Sequence, residues 1–261
     1  MHFLGLYLDR LDSIVYTLVI VCITIAAGST LFRRLRRHSG TAAEHEMTGH
    51  YFAVVSTIYA VTLGLVVFDA LGTYEQANET VKKEAKSLFA VYSLAGSYSD
   101  EDRRAIQNLT RDYVDAVLNS EWQLMDDRDE CPLSRKLMFD LIDRVNHITP
   151  ATPSQIALLP LIAGEMINAV DSARSRLQQN AEGIPDIEWY VLITGGAFTI
   201  LFSYFFDNRS IGHFIMSCML AFVIASNLLL VLAFGEPFRG EFQVSNQEFL
   251  MLKQYISAYQ Q

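Results

Sequence analysis

The sequence predicts an all-α membrane protein, with four transmembrane helices and a helical extramembrane domain between the second and third of them. Three observations carry that expectation. The 261-residue chain is 51% apolar and only 19% charged, whereas a soluble domain usually carries about 25% charged residues. Its apolar residues gather into four runs, each long enough to cross about 30 Å of hydrocarbon as a helix. Its charge gathers between them: residues 74–187 hold 12 basic and 19 acidic side chains, so −7 of the net −9 sits in one central block. This composition excludes a collagen-like, disordered or disulfide-scaffold chain. An acidic domain repels phosphate, which argues against a nucleic-acid partner; the partner implied is the lipid bilayer.

The first run, Ser13 to Phe32, carries no charge, and Arg33, Arg34, Arg36 and Arg37 follow it. A cleaved signal peptide would carry its basic residues in front, so this run reads as an anchor. The second run, His50 to Leu71, is interrupted only by Asp69. The third, about Ile187 to Phe206, and the fourth, about Ile211 to Phe234, are separated by Asp207, Asn208, Arg209 and Ser210, a tight helical hairpin. The expected division is helices one and two within 1–73, an acidic helical extramembrane domain over 74–186, the hairpin over 187–234 and a tail over 235–261. Lys and Arg mark the cytoplasmic side of a membrane protein. The Arg33–Arg37 cluster and Arg209 share one side, which puts the acidic domain, both termini and Glu236 outside, with Lys82, Lys83 and Lys86 counting the other way.

The central block reads as helical throughout. Ala77, Val81, Ala85, Leu88, Tyr92 and Ala95 recur at steps of four and three, one face of a helix. No Pro falls between His50 and Gly96, and Gly72 is only a mild breaker. The second span is therefore expected to continue as one helix of about 45 residues, near 70 Å at 1.5 Å per residue. Ser99 with Asp102 is a capping pattern, and Ile106, Leu109, Tyr113 and Val117 mark the helix it starts. Cys131-Pro132 opens another, with Leu133, Leu137, Leu141 and Val145 inward. Thr152-Pro153 reads as N-cap and first helical position; Pro160 is expected to kink that helix, and Gly183 and Pro185 to end it. In the tail, Ser245 and Glu248 repeat the capping pattern. Phe249, Leu252, Ile256 and Tyr259 form an apolar stripe suited to the membrane surface or to docking on the acidic domain.

The second span carries two distinct lines at helical spacing. Ser56, Ala60 and Gly64, with Ala53 and Thr57 beside them, are small residues that let helix backbones approach closely in lipid. Tyr51, Val55, Thr62, Val66, Asp69 and Thr73 form the other, continued beyond the membrane by Gln76, Thr80, Lys83 and Ser87. Two readings of this second line stay open. It faces a neighbouring helix in the membrane and water above it, or copies of the helix surround a central pathway with Asp69 ringing one mouth. An ionisable residue at the edge of a span is a functional candidate because it is costly to place there, and a ring of carboxylates favours cations. Small residues recur at Gly195, Thr199 and Ser203 and at Ser217, Ala221 and Ala225, and Asn227 needs a hydrogen-bond partner, expected on another helix.

Catalytic chemistry is not in evidence. His45 and His50 are five apart, one too many for the zinc-protease spacing, and do not share a helix face. Cys22, Cys131 and Cys218 build no disulfide framework. There is no phosphate loop, no nucleophile elbow and no Cys-x-x-Cys, and the acidic pairs Asp126/Asp127 and Asp129/Glu130 lack the ordered spacing of a calcium loop. The expectation is no enzyme, no metal and no cofactor.

Several segments carry a resemblance. Phe52-Ala53-Val54-Val55-Ser56-Thr57-Ile58-Tyr59-Ala60-Val61 is similar to the signature of the bacterial bestrophin-like domain family, a domain of unknown function. So are Tyr74-Glu75, Val81, Glu84-Ala85, Leu88 and Tyr92 on the helix that follows, Glu121-Trp122, Phe202-Ser203-Tyr204-Phe205-Phe206 and Glu236-Pro237-Phe238-Arg239-Gly240. The resemblance runs from about residue 45 to 250. It implies kinship with bestrophins, pentameric ion channels whose pore is built mainly from the second span, and hence a homo-oligomer in a bacterial inner membrane handling inorganic ions. Bestrophins keep the helical domain in the cytosol, opposite to the orientation read from the positive residues. The alternative is a membrane-anchored interaction or sensory module without transport, with the acidic domain as its binding surface.

Overall fold

The computed structural model describes residues 42–203, 211–240 and 242–258. The first span with Cys22, the Arg33–Arg37 cluster, the end of the third span, the 207–210 turn and Tyr259 lie outside the described residues. Every regular element among the described residues is helical. The principal helices are α1 (Ala42–Ala95), α2 (Asp100–Ala116), α3 (Pro132–Asn146), α4 (Pro153–Glu182), α5 (Asp186–Ser203), α6 (Ile211–Gly235) and α7 (Gln247–Ala258). Between α2 and α3 the chain makes a π turn at Val117–Glu121, one α turn at Trp122–Leu124 and a 3-10 turn at Met125–Asp127.

The long second helix is as expected. α1 runs 54 residues without a break, passing straight through Gly72, where a Cβ would meet open space. Three stretches among the described residues are long and apolar enough to cross a membrane: Gly49–Ala95, Pro153–Glu182 and Ile215–Gly235. The second of these falls inside the block read from the sequence as extramembrane. On α4, Ile162, Met166, Ala169 and Ala173 line a packed core, while Ile156, Leu161 and Ile167 are exposed. α5 opens on Asp186 and Glu188, which dilutes its apolar stretch.

The chain divides into two compact units, one of the residues up to Leu71 with Ile184–Gly235, the other of Gly72–Gly183 with Glu236–Gln261. In the first, Tyr59, Leu63, Leu192, Ile224 and Val231 form the core, with Val66, Val67, Trp189, Ile200, Leu220 and Leu228 against it. Tyr59 fits a slot made by a glycine pair. A Cβ on Gly195 would stand 2.5 Å from the ring's Cδ2, and one on Gly196 would stand 3.0 Å from its hydroxyl oxygen. Thr199, Ser203, Ser217 and Ala221 are buried in the same unit. Among the described residues Asn227 bonds its own helix rather than another one: its Nδ2 donates 2.8 Å to the carbonyl of Val223.

The second unit has a larger core, in which the stripe Ala77, Val81, Leu88, Tyr92 and Ala95 of α1 meets Ile106, Tyr113 and Val117, Leu141 and Val145, Ile162 and Met166, and Phe249, Leu252 and Ile256. Ser99 caps α2, its Oγ accepting from the backbone N–H of Asp102 at 3.2 Å. Thr152 and Gln155 form a reciprocal capping box at the start of α4. Two expectations shift. On α3, Leu133 is exposed and Ser134 and Met138 are buried instead. In the tail, Ser245 Oγ accepts from Gln247 rather than Glu248. The amphipathic α7 docks on this unit, with Phe249 fully buried. Gly183 ends α4 at φ 56°, and the Arg128 guanidinium lies 2.7 Å from where its Cβ would be, so both the backbone and the space require glycine.

Candidate functional site

α1 in the first unit buries one stripe and leaves the rest of its surface open. Tyr59, Leu63 and Ala70 face inward. Of the polar line, Tyr51 is 61% exposed and Asp69 is exposed. Val55, Thr62 and Thr73 are half-buried, and the Thr62 hydroxyl donates 3.0 Å to the Ile58 carbonyl one turn back. Val66 packs against the core of its own unit. The six residues therefore border the buried stripe on one flank, with Tyr51 and Asp69 the most open.

On the opposite flank Ser56 is half-buried, and Ala60 and Gly64 are exposed. A Cβ on Gly64 would meet nothing within 4 Å, so among the described residues close packing is made by Tyr59 on Gly195 and Gly196, and nothing covers the Ala60–Gly64 surface. Between the flanks lies a face that reading for polar and small residues passed over: Val54, Ile58, Val61, Leu65 and Phe68 are all more than half exposed. Their spacing of four and three was the available signal.

The second unit holds a buried charge cluster built on four elements. Glu84 lies on the apolar stripe of α1, and Arg176 lies on the buried stripe of α4 that runs from Ile162 to Asn180; both are fully buried. Arg176 donates to both Glu84 oxygens, from Nε at 2.8 Å and Nη2 at 3.1 Å, a bidentate pair. Tyr113 of α2 donates 2.6 Å to Glu84 Oε1. The π turn brings Glu121 inward, with Oε1 paired to Arg176 Nη2 at 2.6 Å. Ser134 Oγ contacts Glu121 Oε2 and donates 2.9 Å to the Cys131 carbonyl. Trp122 and Phe249 each lie 5.8 Å from the guanidinium carbon, cation–π distance. Burial pushes the Glu121 carboxyl above the ordinary carboxylate range, with the Glu84 charge adding to it and Arg176 opposing. Burial likewise raises the Tyr113 phenol.

The sequence reading took Tyr113 as a core residue and did not single out Arg176 or Ser134. A charged residue on an otherwise apolar stripe was the legible signal for Glu84 and Arg176. The π turn that adds Glu121 to the face of Tyr113 and Val117 has no signature in local sequence.

Comparison with solved structures gives the same fold. A substituted form of a bacterial bestrophin homolog from Klebsiella pneumoniae matches with TM-score 0.70 at 10% identity, over 95% of this chain and 98% of that one. Another substituted form of it matches with TM-score 0.65 at 10% identity, over 96% and 99%. A variant of a protein described as a membrane protein matches with TM-score 0.68 at 10% identity, over 94% and 98%. No curated protein matches the sequence. The Bestrophin-like domain matches residues 18–249, which is nearly the whole chain, and the protein therefore belongs to the bestrophin-like family.

Proposed function

We propose that the protein is an oligomeric ion channel of the inner membrane, crossing the bilayer four times, with copies of α1 arranged around a central pathway and a pentamer as the expected ring. One observation carries this reading: in a chain with the bestrophin fold, α1 runs unbroken through Gly72 and leaves open both Asp69 and the Ala60–Gly64 surface, where another copy's backbone can approach. In the ring, Tyr51, Val55, Thr62, Val66, Asp69 and Thr73 are the pore-side candidates, and Ser56, Ala60 and Gly64 the contact between helices. Thr62 and Thr73 supply hydroxyls to a partly dehydrated ion, and Asp69 supplies charge. A carboxylate ring and an acidic domain over 74–186, extracytoplasmic by the positive-residue distribution, both concentrate cations, so a cation preference is expected.

Ion flux into liposomes containing the purified protein tests the reading, with Asp69→Asn as the variant. Flux from the wild type, with cation preference reduced by the substitution, supports it. No flux, together with monomers or dimers in particle images, overturns it in favour of a membrane-anchored interaction module. Protease access to a C-terminal tag on intact cells decides orientation separately.

A further inference from the structure

The buried cluster of the second unit has one guanidinium and two carboxyl groups, all nine-tenths buried or more. With both carboxyls ionised it would hold an uncompensated negative charge away from water, which is costly unless paired and hydrogen-bonded. Hydrogen-bond donors distinguish the two. Glu84 receives three, two from Arg176 and one from Tyr113, and so answers the guanidinium charge. Glu121 Oε1 lies 2.6 Å from Arg176 Nη2, the nitrogen that already donates to Glu84 Oε1. Its other oxygen meets Ser134, whose single hydroxyl proton serves either that oxygen or the Cys131 carbonyl at 2.9 Å.

We propose that Glu121 is protonated in the folded protein at neutral pH, and that this proton is a pH-sensitive latch on the extramembrane bundle. The proton on Oε2 is donated to Ser134 Oγ, and Ser134 donates its own to Cys131. That relay gives each of its two protons one acceptor and leaves the cluster electrically neutral. The groups facing Glu121 are Glu84 from α1, Tyr113 from α2, Arg176 from α4 and, at longer range, Arg135 from α3; from α7 the Phe249 ring lies on the Arg176 guanidinium.

The linkage follows from the sign. In the unfolded chain Glu121 loses its proton in the ordinary carboxylate range, whereas in the fold burial holds the proton to higher pH. Between those two values the native state binds more protons, so stability falls as pH rises through that window. Loss of the proton leaves Glu84 and Glu121 repelling each other across Arg176, at the end of the π turn Val117–Glu121, which is the segment expected to open.

The test uses the full-length protein in detergent. Infrared spectra taken as pH is stepped upward are expected to show the carbonyl stretch of a protonated carboxyl at neutral pH and its loss at alkaline pH. The band is expected to be missing in Glu121→Gln. That variant should also lose the alkaline fall in melting temperature seen in the wild type. A wild type without the band at neutral pH, or a band that persists in Glu121→Gln, overturns the proposal. Should Glu121→Gln fail to fold, Ser134→Ala takes its place: removing the acceptor of the proton must shift the band, and an unshifted band overturns the proposal equally.

Discussion

One helix serves two environments, and its two halves solve the problem of polar groups differently. Up to Leu71, α1 turns Val54, Ile58, Val61, Leu65 and Phe68 outward, a surface suited to lipid or to another apolar helix. Beyond Gly72 it turns Glu75, Glu79, Lys82, Lys83 and Lys86 outward, a surface suited to water, with Glu79 and Lys82 paired at 2.9 Å. Three hydroxyls in the first unit bond their own helix four residues back: Thr57 to Ala53, Thr199 to Gly195 and Ser226 to Phe222. In the second unit Thr80 and Thr110 do the same, but the buried charge cluster reaches across elements, Arg176 to Glu84 and Tyr113 to Glu84. The lesson is that local bonding lets a helix carry polar atoms in any neighbourhood, whereas long-range bonding ties one fold together and makes each partner indispensable.

That contrast predicts a ranking of substitutions. Arg176→Met strands two buried carboxyls and should cost about 3–5 kcal/mol, read as a large loss of melting temperature or of folded protein in detergent. Arg176→Lys should recover little of it, because a lysine ammonium cannot reproduce the bidentate fork. A mild effect of Arg176→Met would mean that the cluster does not hold the second unit together. In the first unit the corresponding weak point is steric. Gly195→Leu drives a side chain into the Tyr59 ring and should cost about 1–3 kcal/mol as overpacking, and Gly195→Leu with Tyr59→Ala should recover part of that, a coupling measurable by thermal unfolding.

Smaller effects sharpen the same comparison. Thr152→Ala removes the cap that accepts from Gln155 N–H at 3.2 Å and should cost about 0.5–2 kcal/mol, seen as a modest fall in melting temperature. Gly64→Ala should stay within about 1 kcal/mol of wild type in the stability of the single chain, since a Cβ there meets open space. A loss of oligomer in mild detergent with the chain still folded would identify the Ala60–Gly64 surface as the contact between copies.

Much of this architecture is readable without coordinates. The stripe from Ala77 to Ala95, the absence of Pro from His50 to Gly96, and the Ser99 and Thr152 caps announce their helices, because each is a local matter of spacing and backbone hydrogen bonding. The same reasoning went astray where the deciding partner lies far along the chain. Leu133 fits a helical stripe and is exposed, because the inward side of α3 at that turn is taken by Ser134 reaching Glu121.

By itself, then, the sequence determined the helical class, the long second helix, the apolar runs and the acidic block, since composition and periodicity act over a few turns at most. Tertiary structure alone decided that among the described residues Tyr59 rather than Gly64 makes the close packing, and that Glu84, Glu121 and Arg176 meet in one buried place. Those choices depend on which residues fill the space opposite a helix face, and the partners stand 37 to 92 positions apart in the chain.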